Sequence, residues 1–143
     1  MAMTSLTWTY SSSHPLLGCG VDAEHIDRFS AMIASDDHPM PFVFSAREVA
    51  HHRQLKNPAR GFCVSFCCKE ALRKALPESY HFPECELLMD ERDEWQDVEL
   101  SPQLRNAFHI DHVRARIMDL ESGDCRECLV MVYVFGNLPD SRS

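Results

Sequence analysis

Two carboxylates that stand far apart in the sequence are the residues best suited to chemistry. Asp22 ends the segment Gly-Cys-Gly-Val-Asp, and Glu70 stands one helical turn before Lys74 in the segment Lys-Glu-Ala-Leu-Arg-Lys-Ala-Leu. Carboxylate oxygens suit Mg²⁺, and a magnesium ion can hold a phosphate ester while nearby cations neutralise its charge. If folding brings Asp22 and Glu70 together, they would suit phosphoryl-type transfer on a nucleotide cofactor.

Each of these residues also has an ordinary structural role open to it. Asp22 could cap the helix that follows it. Glu70 and Lys74 could form a solvated i,i+4 ion pair, which is worth about 0.3–0.5 kcal/mol. His51 and His52 are more typical of surface histidines than of acid–base groups. Taken singly, these residues therefore leave the structural and the chemical interpretations open.

Length and composition favour one globular domain. A chain of 143 residues with 45% hydrophobic residues can bury a core, but it is short for a self-contained two-layer enzyme, so a second subunit could complete its site. We expect a flexible leader at residues 1–15, one domain at residues 16–136 and a tail at residues 137–143. No apolar run approaches the roughly 18 residues of a membrane span, and residues 1–15 lack the pattern of a secretory signal.

Charge is unevenly distributed along the chain. The net charge of −8 disfavours nucleic acid as a partner. Residues 47–60 carry four cations against one carboxylate, whereas residues 84–99 carry eight carboxylates against one arginine. The four cations are Arg47, Arg53, Lys56 and Arg60. We expect an anionic ligand to favour the first segment and to avoid the second.

The seven cysteines are an odd number and accompany no secretory signal, which indicates reduced thiols in a cytoplasmic protein. Cys125 and Cys128 have zinc-like spacing, and Cys67 with Cys68 could supply the other half of such a site. No second Cys-x-x-Cys or histidine pair stands at a familiar distance. We expect buried or half-exposed free cysteines instead.

Hydrophobic periodicity, together with residues that typically begin or end helices and strands, predicts the elements that position these side chains. They are a strand at 16–21, one or two helical turns within 23–35, a loop at 36–41, a helix opened by the capping box at Ser45, a long helix from Asn57 to about Leu76, a hairpin of strands 84–89 and 95–100, a short helix to about Phe108, and strands at 110–120 and 129–135. Within the long helix, Lys69 shares a stripe with Phe62, Phe66 and Arg73, outside the expected core stripe. The order predicts an α+β fold, an antiparallel sheet packed against one long helix.

Three segments resemble the sequence signatures of the 4′-phosphopantetheinyl transferases. They are residues 20–29 (Gly-Val-Asp-Ala-Glu-His-Ile-Asp-Arg-Phe), residues 44–48 (Phe-Ser-Ala-Arg-Glu) and residues 66–76 (Phe-Cys-Cys-Lys-Glu-Ala-Leu-Arg-Lys-Ala-Leu). The short chain matches the holo-acyl-carrier-protein synthase branch, and the likeness extends from about residue 17 to residue 135.

This resemblance implies a homotrimer with active sites between subunits, in which residues matching Asp22 and Glu70 hold Mg²⁺. The metal would grip the pyrophosphate of coenzyme A, and a serine of an apo-acyl carrier protein would attack the phosphorus beside the pantetheine arm. Holo carrier protein would form, and adenosine 3′,5′-bisphosphate would leave. Lys74 would contact the phosphates or assist proton transfer, with Lys69 as a second candidate for the same work.

The resemblance also suggests how the carrier docks. Arg28 stands six residues after Asp22, where this branch has an arginine that meets acidic residues of the carrier. Arg47 and Arg53 of the basic segment would extend that landing surface.

Two departures from the family pattern favour a rival hypothesis, a non-catalytic relative that binds a carrier protein or an assembly partner. Ser65 stands where the family usually has an arginine that contacts coenzyme A, and Arg60 or Lys56 would have to replace it. The glycine-rich turn after the long helix is also absent. The retained Asp22 and Glu70 favour the enzyme.

Overall fold

The structure is a computed structural model that describes residues 13–35 and 40–138. In chain order its elements are β1 (Leu16–His25), α1 (Asp27–Ser35), α2 (Ala46–Arg53), α3 (Pro58–Ala75), a 3₁₀ turn (Phe82–Glu84), β2 (Cys85–Glu86), β3 (Trp95–Leu100), α4 (Pro102–Ala107), β4 (Ile110–Ser122) and β5 (Cys125–Gly136). This order matches the predicted one. Residues 139–143 of the predicted tail (137–143), most of the leader and most of the loop at 36–41 lie outside the described residues.

The five strands form one antiparallel sheet in the order β1-β5-β4-β3-β2, and α3 packs across one face of it. Alternate β5 residues, Cys128, Val130, Val132 and Val134, are fully buried beneath the helix side of the sheet. Gly123 (φ 61°) forms the tight turn of the β4–β5 hairpin. The predicted α+β architecture is therefore confirmed.

Local capping signals place the helix starts correctly. Ser45 Oγ accepts the Glu48 amide at 3.1 Å, while the Glu48 carboxylate accepts the Ser45 amide at 3.1 Å. Asn57 Oδ1 accepts the Arg60 amide at 3.1 Å, and Pro58 is the first residue of α3. Both satisfy amides that the first helical turn leaves without a partner, and both predicted starts are confirmed.

The first strand is longer than predicted. It continues to His25, and α1 begins only at Asp27, because residues 22–25 keep pairing with β5. Asp22 therefore lies within β1, opposite Val130, and does not cap a helix. The interpretation of Asp22 as a helix cap is wrong.

The second strand is shorter than predicted. Only Cys85 and Glu86 pair with β3, so the predicted hairpin is present but begins late. Beyond it, the Leu87 amide donates to a buried Glu48 carboxylate oxygen at 3.1 Å and not to a strand. In the part of the chain described, no helix is both long enough and apolar enough to cross a membrane.

Candidate active site

Two glycines let β1 lie directly against the C-terminal half of α3. A methyl group on Gly18 would overlap the carbonyl oxygen of Ala75, and one on Gly20 would overlap that of Ala71. Side chains alternate along a strand, so Asp22 follows Gly18 and Gly20 on the side facing the helix. The sequence Gly-x-Gly-x-Asp thus brings a carboxylate to the helix surface.

The structure brings Asp22 and Lys74 into direct contact. Lys74 Nζ donates to Asp22 Oδ1 at 3.0 Å and to the Val21 carbonyl oxygen at 3.0 Å. The Asp22 side chain is 18% exposed, whereas that of Lys74 is 50% exposed. The carboxylate is therefore held by its surroundings, while the ammonium can move at little cost.

Glu70 lies one turn before Lys74 on α3, so their side chains emerge on neighbouring positions of one helix face. Its carboxylate is 18% exposed and pairs with Arg73 at 2.5 Å. Lysine side chains on a helix lean toward its N-terminus, which carries the Lys74 ammonium toward the turn of Glu70. Lys74 therefore links Asp22 to the part of α3 that carries Glu70.

The donor set at this place fits a hard divalent cation. Asp22, Glu70 and the Val21 carbonyl offer oxygen ligands, the type that Mg²⁺ prefers. The Lys74 ammonium already binds two of these oxygens and so stands in for a cation. Because Lys74 is half exposed, it could move onto phosphate oxygens when a metal ion binds the carboxylate.

Lys69 lies elsewhere, inside the protein. Its side chain is fully buried and pairs with the equally buried Glu48 at 2.8 Å. The ammonium also donates to the carbonyl oxygen of Phe82 at 2.9 Å and to that of Cys85. All three of its protons have acceptors, so Lys69 does not face the site, contrary to the expectation that it binds the cofactor.

Ser65 belongs to the same interior cluster. Its hydroxyl is fully buried and donates to Glu48 at 2.7 Å. It cannot replace the arginine expected at this position as a contact for phosphates. The capping box at Ser45 explains only one role of Glu48. Its second role, as the partner of a lysine on the next helix, has no local signal in the sequence.

The two adjacent histidines are also structural. His51 Nε2 donates to the Met89 carbonyl oxygen at 2.8 Å, and His52 is fully buried against the ring of Phe62. Burial, with the nearby charges of His51 and Lys69, lowers the pKa of His52 from 6.5 to about 4. The expectation of two surface histidines is wrong for His52, because its ring completes the core.

Arg28 lies near the site on α1. It pairs with Glu24 at 3.0 Å, and its guanidinium lies 5.1 Å from the centre of the Phe66 ring. Phe66 precedes Glu70 by one helical turn, so the half-exposed Arg28 brings a positive charge to the part of α3 just before Glu70.

The cations of the basic segment (residues 47–60) lie away from Asp22 and Lys74. Arg60 makes a two-point contact with Asp119, at 2.9 and 3.0 Å, near the opposite end of α3. Fourteen residues separate Arg60 from Lys74, about 21 Å of helix. Lys56 is exposed and borders an open cleft of about 780 Å³ whose walls include Glu91.

The basic and acidic segments pack together, although the sequence suggested separate regions. Arg47 pairs with Glu99 at 3.1 Å and with Glu86 at 3.8 Å. The carboxylate of Glu91 accepts the amide of Lys56. Arg53 is exposed at the end of α2. The expected basic landing surface is therefore partly neutralised.

All seven cysteines lie within the described residues and are free thiols, as expected. Five are buried, Cys125 is half-buried and Cys19 is exposed. Cys125 and Cys128 lie three positions apart on β5, so they face opposite sides of the sheet. The zinc-like spacing of these two residues does not make a common site.

Comparison with known proteins places this chain in a family. A family model of the 4′-phosphopantetheinyl transferase superfamily matches residues 18–122, which include Asp22, Glu70 and Lys74. The chain belongs to the 4′-phosphopantetheinyl transferase superfamily, as the resemblance predicted. No curated protein matches the sequence.

Solved structures of acyl-carrier-protein synthases share the fold. The holo-[acyl-carrier-protein] synthase of Neisseria meningitidis superposes with a TM-score of 0.63 at 16% identity, covering 84% of this chain and 98% of that one. A Plasmodium yoelii acyl carrier protein synthase with ADP bound gives 0.67 at 17% identity, covering 89% and 100%. A Chronobacterium ammoniagenes synthase–coenzyme A complex gives 0.55 at 22% identity, covering 80% and 94%.

Proposed function

We propose that this protein transfers the 4′-phosphopantetheine arm of coenzyme A to a serine of an apo-acyl carrier protein, in a Mg²⁺-dependent reaction. Adenosine 3′,5′-bisphosphate would be the second product. The observation that carries the proposal is the contact of Asp22 with Lys74, one turn from Glu70, within the segment that matches the transferase superfamily.

Asp22 and Glu70 would hold the metal ion. Both carboxylates are largely shielded from water yet reachable, so they can bind a cation without a large cost of desolvation. When bound, the ion would neutralise charge on the phosphate oxygens of coenzyme A. The two glycines that pack β1 on α3 keep Asp22 in place.

The Lys74 side chain would reorient, so that its ammonium leaves Asp22 and binds the pyrophosphate. Its two acceptors are both oxygens within 3.0 Å, and its half-exposed side chain can reorient. A lysine is a compact point charge that suits this role at a phosphate. Proton removal from the attacking serine falls to Glu70 or to a metal-bound water.

Arg28 would guide the carrier protein. Its guanidinium lies over Phe66, which precedes Glu70 by one turn of α3, and half of its side chain faces solvent. Carrier proteins are acidic, so an arginine beside the site would steer them despite the net charge of −8. Arg28→Glu should therefore weaken carrier binding and leave coenzyme A affinity nearly unchanged, as two separate calorimetric titrations would measure. Equal losses in both would refute this division.

We further propose a homotrimer in the cytoplasm. β1 is an edge strand whose outer face, opposite the face of Asp22, exposes Leu16 and Val21 at 52% and 46%. A second subunit covering this edge strand would bury both side chains. The free thiols are typical of a reducing compartment. Light scattering coupled to gel filtration should give three times the chain mass.

The test is incubation with apo carrier protein, coenzyme A and Mg²⁺, followed by intact-mass spectrometry of the carrier. We expect the carrier to gain one phosphopantetheine group. Asp22→Asn and Glu70→Gln should each abolish the gain, whereas Asp27→Asn and Glu78→Gln are matched controls on exposed carboxylates and should retain it. Full turnover by either site variant would show that the assignment is wrong.

A second candidate function is carrier binding without transfer. The burial of Ser65 favours it, since this position cannot supply the phosphate contact expected from the family pattern. In the same experiment this candidate predicts a complex with apo carrier protein but no change in the mass of the carrier.

A further inference from the structure

The face of the sheet opposite α3 carries a cluster of metal-binding side chains that the proposed transfer reaction does not use. His25 closes β1, and Cys125 with Glu127 opens β5. Cys125 Sγ lies 3.1 Å from His25 Nδ1, and His25 Nε2 lies 3.2 Å from Glu127 Oε1. One ligand atom from each of the three residues can be chosen so that all lie within 4.8 Å of one another.

The sheet itself holds the three side chains together. His25 pairs directly with Glu127 across the β1–β5 ladder, and Cys125 lies two positions from Glu127 on the same face of β5. The Ile26 amide donates to the Arg126 carbonyl oxygen at 3.0 Å and fixes the two strand ends. The cluster is therefore built on paired strands, and neither loop nor terminus has to be ordered to form it.

The donor set selects the metal. A thiolate, an imidazole and a carboxylate are typical zinc ligands, with bonds of about 2.0–2.3 Å. Around a tetrahedral ion such ligand atoms lie about 3.3–3.6 Å apart. Cys125 and Glu127 contact different ring nitrogens of His25, only one of which would bind the ion. One ligand atom from each residue nevertheless lies within 4.8 Å of the other two, so side-chain rotation would bring all three around one ion. Exposure of His25 (59%) and of Glu127 (35%) leaves a path for entry and a fourth position for water.

We propose that His25, Cys125 and Glu127 form a zinc site on the outer face of the sheet, separate from the candidate active site at Asp22 and Glu70. Asp22 lies three residues earlier on β1 and faces the helix, whereas His25 faces the other side. Zinc would fasten the end of β1 to the β4–β5 hairpin. The Cys125 thiol would lose its proton on binding.

The test uses full-length protein stripped of metal with a chelator. Competition with a chromophoric zinc indicator should show one tightly bound zinc per chain. Cys125→Ser and His25→Ala should each weaken zinc binding at least tenfold, and zinc should raise the melting temperature of the wild type but of neither variant. Circular dichroism of the metal-free proteins checks that these half-exposed substitutions leave the fold intact.

Two control variants distinguish this site from others. Cys19→Ser removes an exposed thiol on the same strand, about 20 Å from His25, and should leave zinc affinity unchanged. Asp22→Asn should also leave it unchanged, and so separates this proposal from the proposed transfer reaction. Cobalt should give thiolate-to-metal charge-transfer absorption in the wild type and in Cys19→Ser, but not in Cys125→Ser. Wild-type affinity in Cys125→Ser, or no thiolate absorption in the wild type, would overturn the proposal.

Discussion

Helix α3 carries two lysine–carboxylate pairs whose surroundings differ. Lys69 and Glu48 are both fully buried and surrounded by further hydrogen bonds. Lys74 and Asp22 lie at the surface, with half of the lysine side chain exposed. The same two chemical groups thus form a fixed, buried ion pair in one case and an exchangeable surface ion pair in the other. The difference comes from how much of each pair is exposed to solvent.

The largest expected effect is on the buried pair. Lys69→Met leaves the Glu48 carboxylate in the core without its counterion, so we expect the free energy of unfolding to fall by about 3–5 kcal/mol. Urea denaturation measures this loss. Adding Glu48→Gln to the same chain should recover part of it, and a loss below 1 kcal/mol in Lys69→Met would remove the contrast with the surface pair.

A second test uses pH to reach the interior. Since the pKa of His52 is about 4 in the folded protein against 6.5 ordinarily, the unfolded chain binds its proton first as pH falls. Stability contributed by His52 is complete above pH 6.5 and is lost between pH 6.5 and about 4, to a total of about 3 kcal/mol. His52→Leu should flatten unfolding free energy measured across this window. An unchanged slope would contradict the assignment.

A third test changes the packing of β1 on α3. Gly20→Ala places a methyl group against the Ala71 carbonyl oxygen, so the strand must shift and carry Asp22 with it. We expect the free energy of unfolding to fall by about 1–3 kcal/mol. Metal-dependent turnover should fall by more than this loss of stability explains. Gly123→Asn, in the open hairpin turn, is the control and should leave activity unchanged. Equal activity in both variants would show that the close approach does not position Asp22.

The smallest expected stability effect is at the surface pair. Lys74→Met breaks an exposed contact worth less than about 1 kcal/mol, so urea denaturation should barely change. Turnover should nevertheless be lost, because the phosphates lose a cation. A stability loss as large as that of Lys69→Met would show that Lys74 is structural.

Local signals in the sequence predicted the helices well, because their causes are local. The capping box at Ser45 and the Asn57–Pro58 start depend on residues within one turn, and both are present. The end of β1 depends on pairing with β5, more than 100 residues later. No local signal between Asp22 and His25 therefore marks where the strand ends.

The candidate site was predicted in part for the same reason. Asp22 and Lys74, which the sequence assigns to one site, are in contact, whereas a metal site shared by Asp22 and Glu70 stays a prediction. Lys69 was misplaced because helical periodicity assigns charged residues to the surface, and its partner Glu48 lies on another helix. Cys125 was matched with Cys128 by spacing, whereas the strand turns them apart and places His25 beside Cys125.

The most direct test of the central claim is equilibrium binding of Mn²⁺, which accepts the same oxygen ligands as Mg²⁺, in the presence of coenzyme A. Electron paramagnetic resonance of free Mn²⁺ should show one bound ion per chain, lost in both Asp22→Asn and Glu70→Gln and retained in Asp27→Asn. Undiminished Mn²⁺ binding in either site variant would contradict a shared metal site between β1 and α3.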